Sequence, residues 1–285
     1  MYYFGKYFSL TNKFLPLVFI AAFFDLLQLR DIMDFVTQGF RVSLTIPGAM
    51  PSIVPVLSEY SYVFNINIPL GGLQGGLVAI FMGIMFFLLG IFLKGGFLGS
   101  VFSGLKGESF SLGTFIGCGK KFFGRFMLQI LFMIFVILVS IFPYIVIIDI
   151  IISILGFLGV VLTAVMSFVL VLALIFLLFF WDYAMVVEDI GVIDGAKKSW
   201  NVVKNNVVAV FIAILCILIA NILLGILASL MVWAGLILAV LAIIGYAYFA
   251  TVIIFFKMSF YQELSNEKVD SLDVIAEAGS QETKI

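Results

Sequence analysis

Apolar residues fill long windows of this chain, and charged residues mark the borders between the windows. The longest stretch without any charge runs from Asn205 to Phe256. A single helix of that length would be more than twice as long as a hydrocarbon layer is thick, because about 20 residues cross a layer of about 30 Å. The stretch therefore predicts two membrane-spanning helices, joined by a turn near residues 229–235.

Windows of the same kind recur along the whole chain. They lie at about 14–29, 72–93, 126–148, 156–181, 206–228 and 231–256. Irregular backbone does not face lipid, so the connections between them belong at the membrane surfaces. We predict an all-α, polytopic membrane domain at 1–257 with six transmembrane helices, an outer loop at 30–71, and an acidic, disordered cytoplasmic tail at 258–285.

The composition excludes a soluble domain with a single anchor. Hydrophobic residues make up 64% of the chain, charged residues make up only 11%, and the mean hydropathy is +1.29. An ordinary soluble domain contains about 25% charged residues. The first window runs into Asp25 and Arg30 without a small-x-small cleavage site, so we expect an uncleaved span rather than a signal peptide.

The positive charges predict the orientation of the helices. Lysine and arginine near helix ends are retained on the cytoplasmic side. With a cytoplasmic N-terminus, Arg30 and Arg41 are the only two of the 15 lysine and arginine residues that fall on the outer side. We therefore predict a multi-pass protein of a prokaryotic plasma membrane, with both termini in the cytoplasm.

The side-chain inventory excludes several kinds of enzyme. The chain has no histidine, which removes histidine general-base chemistry and the common serine and cysteine triads. Its two cysteines are too few for a Cys/His zinc site. Four of the five candidate carboxylates lie at predicted helix ends, where water solvates them; the five are Asp25, Asp149, Asp182, Glu188 and Asp189. We expect no catalytic activity, no cofactor, no metal site and no nucleic-acid partner.

Asp25 is the exception among these acids, because it lies about five residues inside the end of the first span. Acids within a membrane are costly and mark functional sites by default. Alternatively, a shallow acid reaches the surface or pairs with Arg30, five positions further toward the outer side. Asp25 is one of two candidate polar residues inside the membrane.

Asn221 is the other candidate. Gly225 and Ser229 follow it at intervals of four, and small or hydrogen-bonding residues at this spacing allow helices to approach closely. We predict that this face packs the fifth span against the sixth. The alternative is a substrate path lined by Asn221, Thr163 and Ser167. The spans contain no chain of charges, which argues against a proton- or ion-coupled pump.

Two predicted cytoplasmic segments share a short pattern. In each, an acidic entry, at 108 or at 188–189, is followed by two small residues, a lysine pair, one variable residue and an aromatic residue, which lie at 118–123 and at 195–200. We call them the first and second paired-lysine segments. Each continues into an apolar stripe at helical spacing. The first stripe contains Leu112, Phe115, Ile116, Gly119, Phe122, Phe123 and Phe126. The second contains Ile193, Ala196, Trp200, Val203 and Val207.

These segments predict amphipathic cytoplasmic interface helices with two alternative roles. Such helices lie in the membrane interface and turn their lysines toward anionic headgroups. They either act as surface elbows that orient the next span, with the lipid bilayer as their only partner, or dock a cytoplasmic protein such as a transport ATPase. The candidate docking residues are Lys120, Lys121, Arg125, Lys197, Asn201 and Lys204.

The outer loop contains four of the six prolines, at Pro47, Pro51, Pro55 and Pro69. We expect a surface loop, and the alternative is a partly re-entrant stretch that covers an opening between helices.

The segments 106–108, 181–189 and 195–200 carry a family resemblance. They resemble a broad group of six-span prokaryotic membrane proteins that includes the membrane domain attached to some glycerophosphodiester phosphodiesterases. The resemblance covers about residues 95–257. In the fused members the catalytic phosphodiesterase is a separate soluble domain, and the residues after Tyr261 are too few to form one.

Three classes of function remain open. The leading one is a non-catalytic transport or envelope-homeostasis component that docks a cytoplasmic partner through its inner loops. The alternative is a self-contained channel or lipid-handling transporter. An intramembrane carboxylate enzyme is the third. The sequence leaves the ligand and the oligomeric state open.

Overall fold

A computed structural model of the chain describes residues 2–27, 29, 32, 51–53 and 72–282. All regular secondary structure in these residues is helical. The helices are α1 (Tyr2–Lys13), α2 (Leu15–Leu27), α3 (Gly72–Leu105), α4 (Leu112–Leu155), α5 (Phe157–Leu178), α6 (Trp181–Val187), α7 (Val192–Asn205), α8 (Val207–Trp233) and α9 (Leu236–Glu282). The predicted all-α class is confirmed for this part of the chain.

Five of the described helices are long and apolar enough to cross a membrane, and the number becomes six if α1 and α2 together form one bent span. The five regions are Gly83–Leu105, Leu112–Leu155, Phe157–Val187, Val207–Trp233 and Leu236–Ser265. These lengths and compositions are those of a helical, multi-pass membrane protein.

The first predicted span, at about 14–29, corresponds to α2, and α1 precedes it. α1 and α2 meet at a bend of 78°. Pro16 explains the break, because proline has no amide hydrogen to donate to the carbonyl of Asn12 and its ring would clash with that carbonyl in a continuous helix. α2 has 13 residues. It is therefore about 20 Å long, less than the roughly 30 Å of a hydrocarbon layer.

The chain forms two compact units. Unit 1 contains Met1–Phe122 and Asn206–Ile285, and unit 2 contains Phe123–Asn205. In unit 1, α9 is the central helix, because it packs against α1, α2, α3 and α8. Small side chains allow this close packing, and the buried alanines of α9 are Ala239, Ala242, Ala247 and Ala250.

Glycines bring α3 close to the start of α4 within unit 1. A β-carbon on Gly96 would lie 2.9 Å from the carbonyl oxygen of Phe115, and one on Gly99 would lie 2.3 Å from the β-carbon of Cys118. Neither distance leaves room for a methyl group. These glycines therefore set the separation of the two helices.

Unit 2 is built on a hairpin of two apolar helices, the later part of α4 and α5. The turn passes through Gly156, which has a φ of +56°, in the left-handed region that favours glycine. Next to the turn, a β-carbon on Gly159 would lie 2.6 Å from the carbonyl oxygen of Ile151. The hydroxyl groups of Tyr144 and Ser167 hydrogen-bond across the hairpin. Elsewhere the hairpin exposes apolar side chains along most of its length.

The disorder predicted for the tail at 258–285 stays a prediction. The backbone of α9 continues as helix to Glu282. No proline occurs after Lys257, and the only glycine there is Gly279. No strong helix breaker therefore separates the apolar part of α9 from its polar end.

Candidate functional site

The clearest polar site of unit 1 is a carboxylate inside the helix packing. The side chain of Asp25 is only 1% exposed. One of its oxygens accepts a hydrogen bond from the hydroxyl of Ser52 at 2.5 Å, and the other accepts one from the backbone N–H of Ile53 at 2.7 Å. We call this group of three residues the Asp25 clamp. It holds a short piece of the predicted outer loop against α2.

The clamp corrects one expectation for Asp25. The sequence pattern allowed a shallow acid that reaches the surface, whereas the described side chain is buried and bonded to residues 27 and 28 positions away. The other expected partner, Arg30, lies outside the described residues. Local spacing could not reveal the clamp, because Ser52 and Ile53 carry no pattern that distinguishes them from the rest of the loop. Pro51 and Ile53 are also buried, so this part of the loop lies within unit 1.

Asn221 lies buried between α8 and α9. Its side-chain oxygen accepts a hydrogen bond from the hydroxyl of Tyr246 at 2.9 Å. Gly225 and Ser229, on the same face of α8, are also buried. Asn221 therefore lies at the contact between the helices that correspond to the predicted fifth and sixth spans. Tyr246 is also within electrostatic range of Asp25.

The other residues of the alternative substrate path bond within unit 2. The hydroxyl of Thr163 donates to the carbonyl of Gly159 one turn earlier in α5, and that of Ser167 donates to the carbonyl of Thr163. Hydroxyl groups satisfied by their own helix are ordinary features of apolar helices. These two residues supply no observation in favour of a substrate path.

A second polar group lies in unit 2, where α6 and α7 pack beside the hairpin. The indole N–H of Trp181 donates to the carbonyl of Val192 at 2.8 Å, and the hydroxyl of Ser199 donates to the carbonyl of Leu177 at 2.8 Å. A β-carbon on Gly195 would lie 2.6 Å from the side chain of Met185, so glycine lets α7 approach α6 closely. These contacts fix the position of α7, and we call them, with the charged pairs described next, the unit 2 base.

Charged pairs complete the unit 2 base. Arg125 pairs with Asp189 at 2.5 Å, and Lys198 pairs with Glu188 at 3.3 Å. The side-chain amide of Gln129 donates to Asp182 at 2.8 Å. Asp189 has a φ of +56°, a left-handed conformation that aspartate adopts more readily than most residues. Three of the five candidate carboxylates therefore bind neighbouring side chains of the base.

The second paired-lysine segment lies on α7, but the buried face of that helix differs from the predicted stripe. The buried residues are Val192, Gly195, Ser199, Val202 and Val203. Ile193 and Trp200 are instead 56% and 44% exposed. The close approach to α6 selects the small residues Gly195 and Ser199 for the buried face, and the contact of the predicted stripe with the membrane interface stays a prediction. Ile193 and Trp200 form an exposed apolar flank of α7, which lies beside the exposed Lys197 and Lys204.

The first paired-lysine segment has a different structure. It is an internal part of α4, which continues without a break to Leu155, and not a separate interface helix. Phe115, Phe122 and Phe126 of its stripe are buried, whereas Leu112 and Ile116 are exposed. No proline separates the segment from the apolar window that follows it, so the helix continues through Gly124.

The candidate docking residues differ in their exposure and in the ion pairs that they already form. Lys120, Lys121, Asn201 and Lys204 are exposed. Lys197 is exposed and only weakly paired, with its nitrogen 3.9 Å from Asp194. Arg125 is committed to its pair with Asp189. Within residues 2–27, 51–53 and 72–282, no group of three or more His, Cys, Asp or Glu side chains could hold a metal ion.

The family of the chain is shown by its sequence. A family model described as a domain of unknown function (DUF7847) matches residues 17–264, so this chain belongs to that family. No curated protein and no solved structure matches the chain. The resemblance to membrane domains of glycerophosphodiester phosphodiesterases stays a prediction.

Proposed function

We propose that this member of the DUF7847 family is a non-catalytic, multi-pass protein of a prokaryotic plasma membrane that serves a transport or envelope-homeostasis system. Its helical body lies in the membrane, both termini lie in the cytoplasm, and its basic helices dock a cytoplasmic protein. The observation that carries the proposal is the polar flank of α7, where Lys197, Asn201 and Lys204 are exposed on a helix that the unit 2 base holds in a fixed position.

The fixed position of α7 matters for docking. A helix that only adheres to headgroups needs charge and an apolar side, and it tolerates sliding and rotation. α7 is instead attached by Trp181 at its start and by Ser199 in its middle, and Gly195 brings it against α6. A surface whose side chains are held in place suits recognition of one partner, because less side-chain and backbone freedom is lost on binding.

The same helix also suits a lipid surface, and the test must separate the two partners. Ile193 and Trp200 form an exposed apolar flank, and tryptophan is enriched at membrane–water interfaces. Both roles are compatible if the apolar flank contacts lipid while Asn201 faces the cytoplasm. An α-helix has about 3.6 residues per turn, so successive side chains are about 100° apart around the helix axis. Asn201 therefore points about 100° away from Trp200.

A photo-crosslinking residue at Asn201 tests the docking proposal in intact cells. We expect it to crosslink one cytoplasmic protein reproducibly. Lys197→Glu with Lys204→Glu should abolish the crosslink, whereas Lys197→Arg with Lys204→Arg should retain it. Phe142, an exposed residue of the apolar part of α4, is the matched control position and should crosslink lipid only. If Asn201 also crosslinks lipid only, α7 is a surface elbow and the docking proposal fails.

The orientation has its own test. Ser109 lies in the exposed connection between α3 and α4. A cysteine introduced there, in a chain without Cys118 and Cys216, should resist a membrane-impermeant thiol reagent in intact cells and react once the membrane is opened. Labelling in intact cells would place this connection outside and reverse the proposed orientation.

A second candidate function is a self-contained transporter or channel, and the Asp25 clamp favours it. Asp25 is a buried acid on α2, the helix that follows the bend, and buried acids and broken helices both recur in membrane transporters. The purified chain in liposomes should then carry a monovalent-cation flux that a fluorescent dye reports, and Asp25→Asn should reduce it. Liposomes that remain tight with the native chain would exclude this candidate for those cations.

A further inference from the structure

The Asp25 clamp joins two parts of unit 1 that are distant in sequence. Both carboxylate oxygens receive donors from the same short segment, residues 51–53. Ile53 is fully buried and Ser52 is half-buried. The hydrogen bonds from Ser52 and Ile53 thus both end on one titratable side chain. A change in the charge of Asp25 therefore changes the strength of the hydrogen bonds that it accepts from residues 51–53.

The hydroxyl of Ser52 and the backbone N–H of Ile53 donate to the carboxylate of Asp25. Within the described residues, no lysine or arginine pairs with it. Tyr246 on α9 is a titratable group within electrostatic range of Asp25, and its hydroxyl donates to Asn221. On α1, Lys6 and Lys13 are exposed. On the described side chains of α9, Lys257 and Glu263 lie 11 or more positions beyond Tyr246.

We propose that Asp25 is a proton-binding site whose ionised form holds residues 51–53 within unit 1 and whose protonated form releases them. The ionised carboxylate accepts two charge-assisted hydrogen bonds, which are about twice as strong as neutral ones. The protonated group loses that charge. A proton on the oxygen that faces the Ile53 N–H would also place two donors against each other, and a backbone N–H cannot act as an acceptor.

The direction of the effect follows from the chemistry. Rising pH ionises Asp25 and tightens the clamp, and falling pH loosens it. The proton goes to a carboxylate oxygen and leaves by the same route, so no other reactant is needed. This device does not depend on the proposed docking of α7, which lies in the other unit. It would give unit 1 a proton-controlled position for a segment of the predicted outer loop.

Thiol labelling at position 53 tests the proposal. The chain carries Ile53→Cys, which keeps the backbone N–H, together with Cys118→Ala and Cys216→Ala. A water-soluble maleimide is added to the purified protein in nanodiscs at a series of pH values. The same chain with Asp25→Asn, which is neutral at every pH, provides the intrinsic pH dependence of the thiol. The measured quantity is the ratio of the two labelling rates at each pH.

We expect Asp25→Asn to label roughly tenfold faster at high pH, because the charge-assisted part of the two bonds is lost. The ratio should fall toward one as the pH is lowered and the native aspartate becomes protonated. Equal rates in both chains at every pH, or a ratio that does not change with pH, would overturn the proposal.

Two further variants separate the clamp from general loosening. Thr251→Ala is the control, because Thr251 is buried in the same unit and its hydroxyl donates to its own helix at Ala247. It should leave the labelling rate unchanged. Ser52→Ala removes one donor and keeps the charge, so it should raise the rate by less than Asp25→Asn and retain the pH dependence. If Asp25→Asn does not fold, the labelling rates of the native and Ser52→Ala chains are divided at each pH by the rate for free cysteine, and a ratio that does not change with pH would overturn the proposal.

Discussion

The two units use their polar residues in opposite ways. Unit 1 buries Asp25 and Asn221 among packed helices, and α9 contacts four other helices of the unit. Unit 2 exposes most of its apolar hairpin and gathers its charged pairs and the attachments of α7 in the unit 2 base. The comparison indicates that unit 1 depends on close packing along its helices, whereas unit 2 depends on attachments at one end of an exposed apolar hairpin.

The largest expected effect is a packing defect in unit 1. Gly99→Ala would place a β-carbon 2.3 Å from that of Cys118 and should destabilise the protein by about 1–3 kcal/mol. Gly83→Ala is the matched control, because it lies in the same helix with open space around it. It should raise stability by up to about 1 kcal/mol through helix propensity. Thermal unfolding in detergent measures both, and equal shifts would contradict close packing as the basis of unit 1.

A buried hydrogen bond in unit 1 should have the next largest effect. Asn221→Leu leaves the hydroxyl of Tyr246 without its partner and should cost about 1–3 kcal/mol. Tyr246→Phe in the same chain should recover part of that loss, since no unsatisfied donor then remains. A double-mutant cycle from unfolding curves gives the coupling. Additive losses would show that the two side chains do not interact.

Loss of the Ser199 hydrogen bond in unit 2 should destabilise α7 more than the rest of the unit. Ser199→Ala loses the hydrogen bond to the carbonyl of Leu177 and should cost about 1 kcal/mol. Amide hydrogen exchange should rise in α7 more than in the hairpin. Ser153→Ala is the control, because Ser153 is exposed on α4. Faster exchange throughout α5 would mean that the unit 2 base and the hairpin unfold together.

The smallest expected effect is at the surface of the unit 2 base. Arg125 and Asp189 are about 30% and 50% exposed at their side chains, so water screens their attraction. Arg125→Gln should change stability by less than about 1 kcal/mol, and the difference should shrink in 1 M salt. A larger loss that salt does not change would indicate that Arg125 acts through packing.

Much of the fold could be predicted from the sequence, and the candidate sites only in part. The charge-free windows predicted long apolar α-helices, and each window within the described residues contains one. The pattern is informative because a lipid environment requires such helices. Asp25 and Asn221 stood out because polar residues are rare in such windows. The partners Ser52, Ile53 and Tyr246 did not stand out, since they are ordinary residues whose role depends on contacts over long sequence distances.

The paired-lysine segments show the limit of local patterns. Both segments have the same order of residue types, yet one is an internal part of α4 and the other is a separate helix held by Trp181 and Ser199. The sequence by itself determined the helical, multi-pass character, because hydrophobicity and charge act on each segment independently of the others. Only the tertiary structure decided which face of each segment is buried, because close approach selects side chains by size as well as by polarity.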